Sequence, residues 1–105
     1  MEMQTAQFAP GQVVKHVRYG YKGIIYDVDA VYSQPAEWYA LMSGDRPSRN
    51  KPWYHVLVDG ESHSTYVAEE YLVVSSKDEN VEHPLKAQLF NEAGDGHLSI
   101  RTPMN

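Results

Sequence analysis

Apolar and polar positions alternate over several short stretches of this 105-residue chain, and the period changes in two places. In "GQVVKHV", Val13, Lys15 and Val17 fall on one face and Val14 and His16 on the other, which is the two-residue period of a strand. "GIIYDVDAVY" repeats that period, with Ile24, Tyr26 and Val28 sharing one face and Ile25, Asp27 and Asp29 the other. The intervening "RYGYKG" places two glycines within four residues, a turn signal that suits positive φ. An antiparallel hairpin follows from these three segments. "SQPAEWYALMSG" then switches period, because Trp38, Leu41 and Met42 stand at i, i+3 and i+4. A short helix near residues 34–43 is predicted, with Pro35 in its first turn, Glu37 near its positive end and Gly44 as its stop. Trp38 could present its ring to a partner, though docking the helix onto the sheet is at least as consistent with its spacing, and Tyr39, one position around, is expected to point more outward.

"WYHVLVDGESHSTYVAEE", residues 53–70, alternates on both sides of Asp59-Gly60, a hairpin signal. Tyr54, Val56 and Val58 share one face, and Trp53, His55 and Leu57 the other. A two-residue loop would pair Val56 with His63. A three-residue loop would pair Tyr54 with Tyr66 and Trp53 with Val67, and is preferred for its better cross-strand partners. A last strand is predicted around Leu72–Val74. Pro84 opens a second short helix near 84–92, in which Leu85 and Leu89 are four apart. The fold class is therefore mainly β: a small SH3-like antiparallel barrel of about five strands with one inserted helix and a C-terminal helix. One domain spans residues 8–92, between flexible tails at 1–7 and 93–105.

Composition narrows the function. Hydrophobic residues make up 42% and charged residues 22%, ordinary for a folded domain. There is no cysteine, which rules out disulfides and thiolate metal sites. Apolar runs are too short to span a bilayer, and the N-terminus lacks the regions of a signal peptide, so a cytoplasmic location is expected. The net charge of −5 disfavours nonspecific binding to nucleic acid. The charge is uneven: residues 1–58 carry six basic residues against five acids, and residues 59–105 carry three against nine.

No motif for catalysis stands out. His16, His55 and His63 would suit zinc if their strands were neighbours, but no metal-ligand spacing accompanies them. Half-buried histidines held by local hydrogen bonds are the simpler reading. His83, before Pro84, suits a helix cap better than a base. Asp27 and Asp29 share a strand face and could bind Mg²⁺ or act as acid and base, yet no third ligand is apparent, and a solvent face explains them. Ser62 and Ser64 near His63 lack the setting of a triad. No enzyme activity, cofactor or metal is expected. Ten tyrosines and tryptophans remain, able to fill a small core or to anchor an interface.

The blocks "FAPGQVVKHVRYGYKGIIYDVDAVYS", "EWY", "RPSRNKPWYHVLVDGESHSTYVAEEYL" and "HPL" occur in that order, and the chain resembles the HspQ family, also called YccV-like or hemimethylated-DNA-binding. The resemblance covers about residues 8–90. It implies an SH3-type barrel without enzyme activity. It also implies a heat-shock accessory of the ATP-dependent Lon protease acting on denatured or selected proteins such as the replication initiator DnaA, with binding to hemimethylated DNA and self-association, a trimer being plausible. Candidate partner-binding residues are Trp38, Tyr39, Tyr66, Glu69 and Glu70. Candidate DNA-binding residues are Lys15, Arg18, Lys22, Arg46, Arg49 and Lys51.

Overall fold

A computed structural model describes residues 6–41, 47–75, 80–92 and 98–100. Five strands form one antiparallel sheet: β1 (Val13–His16), β2 (Lys22–Asp29), β3 (Trp53–Val58), β4 (Ser64–Ala68) and β5 (Leu72–Val74). Their order is β4-β3-β2-β1-β5, so β4 and β5 are the sheet's two edges and the sheet is open. A 3₁₀ turn, Glu69–Tyr71, links those edges. A short helix, α1 (Ala36–Ala40), lies between β2 and β3. A second helix, α2 (Lys86–Leu89), leads into β6 (Phe90–Glu92), which pairs with β7 (Leu98–Ile100).

The β1–β2 hairpin forms as the alternation predicts, with Val13 opposite Ile24 and Lys15 opposite Lys22. Its two glycines do different work. Gly20 takes φ 77° in the turn. Gly23 lies inside β2, where a Cβ would come within 2.4 Å of the Leu57 carbonyl oxygen, so close strand packing rather than turn geometry requires it.

Strict alternation fails along β2. Ile25 pairs with Val56, but the next pair is Asp27 with His55, leaving Tyr26 as the extra residue of a bulge. The bulge swaps faces for everything after it. Val28 therefore joins the cluster of Ile25, Val14, Tyr54, Val56, Val67, Leu72 and Phe8, and does not share a face with Ile24. Asp27 and Asp29 turn to the opposite face with His55.

The β3–β4 register also differs from both loop lengths considered. Tyr54 pairs with Val67 and His55 with Tyr66. The Val58 N–H bonds the His63 carbonyl, which makes the connection four residues, 59–62. This register puts Tyr54 and Val67 together in the core; the three-residue loop would have set Tyr54 against Tyr66 and moved one of them off its face. Gly60 holds φ 78° at the tip, as the Asp-Gly signal predicts.

A second cluster covers the other face of the sheet. Ile24 and Leu57 pack against Val81 and Phe90, with Val13, Tyr26, Leu89 and Leu98 at its margin. The segment carrying Val81 is fastened to the hairpin tip: the Gly60 N–H bonds the Glu82 carbonyl, and the Glu82 N–H bonds Asp59 Oδ1.

The helices are shorter than predicted. α1 covers five residues of the expected 34–43, and Met42 lies outside the described residues. α2 covers four of the expected 84–92, and Phe90 begins a strand instead. Of the predicted tails, Ala6 packs against the core, Gln7 is hydrogen-bonded to Glu69, and Leu98–Ile100 is a strand. The remaining tail residues lie outside the described ones. Among the described residues no helix is long and apolar enough to cross a membrane.

Candidate functional site

Trp53, buried at the start of β3, anchors an aromatic cluster. Its indole N–H donates to the Ser48 carbonyl at 3.0 Å. Tyr66 stacks on it at 5.2 Å, and Tyr32 meets it edge-on at 5.0 Å. The Tyr66 hydroxyl donates to Asp29 Oδ2 at 2.7 Å and accepts from the Ser33 N–H. Burial, and then the Asp29 carboxylate that the hydroxyl donates to, push the Tyr66 phenol up to about 12. His55, opposite Tyr66 on β3, places Nε2 3.1 Å from the same Asp29 oxygen.

A groove of about 440 Å³ runs from this cluster along β4 to the β1–β2 turn. Trp53, Tyr66, Thr65 and Val67 line one side, His16, Tyr19, Tyr21 and Tyr71 the other, with Arg18 and Leu41 also at the groove. The local sequence builds the second wall. His16 Nδ1 accepts the N–H groups of both Arg18 and Tyr19, each at 3.1 Å, and so shapes the turn that carries them. Its ring stacks on Tyr19 at 4.7 Å and on Tyr71 at 5.7 Å. Burial, reinforced by the Arg18 charge, lowers the His16 pKa from its ordinary value. The Arg18 guanidinium lies 5.6 Å from the centre of the Tyr71 ring, a cation–π arrangement. Among the described residues no carboxylate lines the groove. Near its ends stand Tyr19, 72% exposed, and Leu41, 81% exposed, with Trp38, 58% exposed, one helical turn before Leu41.

The predicted partner-binding residues divide. Trp38 is exposed and does not dock the helix. Tyr39 is the one that docks: its hydroxyl donates to the Pro47 carbonyl at 2.6 Å, and its ring meets Tyr32 edge-on. A five-residue helix has no continuous stripe to lay on the sheet, so its attachment falls to the tyrosine that a neighbouring ring and carbonyl can catch. Tyr66 does lie at the groove. Glu69 does not act as a free rim charge: its Oε2 accepts from the Tyr54 hydroxyl at 2.6 Å and from the Gln7 N–H at 3.0 Å. Burial and that carboxylate together push the Tyr54 phenol up to about 12. Glu70 is exposed and caps the Ser48 N–H.

The basic residues do not gather on one face. Lys15 and Lys22 are cross-strand neighbours, with Lys22 4.0 Å from Asp59. Arg49 lies over the Tyr39 ring and Lys51 is exposed just before β3. Trp53 pairs with Asp29, at the end of β2 opposite to Lys22. The eight residues of β2 thus separate the two pairs by roughly 20–25 Å. Arg18 is at the groove, and Arg46 lies outside the described residues.

The histidines do not form a three-imidazole site. Among the described residues His55 converges instead with Asp27 and Asp29. His83 does not cap α2, whose N-cap is Leu85; it holds the segment before the helix instead, its Nδ1 accepting from the Leu85 N–H and its Nε2 meeting the His63 carbonyl at 2.9 Å. Sequence reasoning missed the His16-built groove wall. The signal available was a buried-face histidine followed at once by a tyrosine-rich turn. It also missed the third ligand beside Asp27 and Asp29, which only the bulge brings into line.

A family model described as "hemimethylated DNA-binding protein YccV like" matches residues 6–97, most of the chain. These residues include both walls of the groove, the bulged strand and the segment that closes the second face. The chain belongs to the YccV-like family.

Proposed function

We propose that this chain is a non-enzymatic accessory protein that modulates ATP-dependent Lon proteolysis of denatured or selected proteins, such as the replication initiator DnaA. The observation that carries this reading is the aromatic groove flanked by exposed Trp38, Tyr19 and Leu41. Exposed aromatic side chains over a concave, partly apolar surface are what a protein-binding site needs, whereas scattered bases and a charge of −5 suit nucleic acid poorly. An SH3-like identity for the sheet fits the same reading, supported by five antiparallel strands in this order with a 3₁₀ turn before the last. The exposed apolar side chains also suit self-association, and a cytoplasmic protein would meet Lon there.

The test is a degradation assay with purified Lon, ATP and a denatured model substrate. Addition of this protein should change the turnover rate, and Trp38→Ala should diminish the change. No effect of the wild-type protein on any substrate would reject the accessory role.

The family description favours a second reading, a regulator that binds hemimethylated DNA. A mobility shift on hemimethylated and unmethylated duplexes of one sequence, at one salt concentration, separates the two. Clear preference for the hemimethylated duplex, without any effect on Lon, would make this the function.

A further inference from the structure

The geometry points to a binding site for a first-row transition-metal dication, Zn²⁺ foremost, formed by Asp27, Asp29 and His55. The bulge at Tyr26 sets Asp27 directly opposite His55 on neighbouring strands, with Asp29 two residues on along the same face. One ligand atom from each of the three lies within 4.8 Å of the other two. All three are carried by paired strands rather than loops, which limits how far they can move apart.

The closest pair already has the spacing of two adjacent ligands. His55 Nε2 and Asp29 Oδ2 are 3.1 Å apart. A dication about 2.0–2.1 Å from both atoms would hold them roughly 3.0–3.3 Å apart in octahedral or tetrahedral geometry. Asp27 is exposed and can swing a carboxylate oxygen inward, and open positions would be left to water. The Tyr66 hydroxyl, bonded to Asp29 Oδ2, supplies the outer support that orients a ligating carboxylate. The imidazole distinguishes this set from an acidic patch. Among the described residues the two carboxylates have no lysine or arginine partner, and His55 is the one ion-pair partner of Asp29.

The donor set decides which metal. One imidazole with two carboxylates favours the later first-row dications over Mg²⁺ and Ca²⁺, which prefer oxygen alone. The site adjoins the groove through Tyr66, and it does not depend on the accessory role.

Calorimetric titration of Zn²⁺ into untagged full-length protein tests the site, with thermal melting as a second readout. One Zn²⁺ per chain should bind and raise the melting temperature. Asp27→Asn keeps the shape of an exposed side chain and an acceptor for the Val28 N–H, so its metal-free melt should match wild type. Its zinc affinity should fall roughly ten-fold or more, and His55→Gln should behave alike. His63→Gln, which alters an exposed histidine outside the set, should leave affinity unchanged. Absence of saturable Zn²⁺ binding would overturn the proposal. So would binding that survives Asp27→Asn but is lost in His63→Gln, or equal affinity for Mg²⁺.

Discussion

His16 shows how one side chain can hold a surface in shape. It is 5% exposed, sits among three tyrosines, and uses Nδ1 to accept two backbone N–H groups of the turn that follows. A protonated ring has no acceptor to offer, so protonation breaks both bonds and adds a charge beside Arg18. The folded pKa lies below the unfolded value of 6.5. The stabilisation from neutral His16 is therefore complete above pH 6.5 and is lost as pH falls through the folded value. Denaturant melts between pH 7.5 and 5 should show this decline in wild type. His16→Asn, whose side-chain oxygen can still accept from the turn, should show a shallower decline. An identical pH profile in the two proteins would remove His16 from this role. The histidine was legible in the sequence as a strand residue, but its function was not, because period-two patterning records which face a residue takes and nothing of what its ring nitrogens meet.

At the scale of elements, α1 and the C-terminal segment reverse the roles that patterning assigns. Tyr39 ties α1 to Tyr32 and to the Pro47 carbonyl, while Trp38 faces solvent. Tyr39→Ala should thus lower stability by about 1–3 kcal/mol through lost ring packing and a lost hydrogen bond. Trp38→Ala should leave the thermal midpoint nearly unchanged. Thermal melts of the two variants would check this, and the opposite ranking would show that the helix docks through Trp38. Phe90 is 2% exposed against Ile24, Leu57 and Val81. Phe90→Ala should cost about 3–5 kcal/mol in chemical denaturation. A loss below about 1 kcal/mol would mean that this segment is only loosely seated. The strands and the Asp59-Gly60 tip could be read from the sequence because alternation and turn chemistry are local. The bulge at Tyr26 and the four-residue loop could not, since each is set by which partners the opposite strand presents. The second cluster was hidden for the same reason: Val81 stands alone in a polar stretch, and only the fold brings it to Ile24 and Leu57.

Across the whole molecule, charge is dispersed. Lys15 and Lys22 lie at one end of the β1–β2 ladder, and Arg49 and Lys51 beyond the far end of β2. Of the five described candidate bases, only two or three can meet one stretch of duplex backbone together. The logarithm of any DNA affinity should then fall with the logarithm of salt with a slope of about −2 to −3. A slope near −5 in a filter-binding or anisotropy series would mean that all six converge. The aromatic groove, in contrast, draws on β1, β3, β4, the 3₁₀ turn and Leu41 at the end of α1, so its form depends on elements far apart in the chain.

The covering of the sheet's second face by Val81 and Phe90 has a consequence for chains that are cut short. All five strands of the sheet lie before residue 75, and both covering residues lie after it. A fragment ending between residues 75 and 80, left by a protease or by early termination, keeps every strand of the sheet and loses the cover. Ile24 and Leu57 would then stand bare on the sheet, ready to be captured by whatever recognises exposed apolar β-surface.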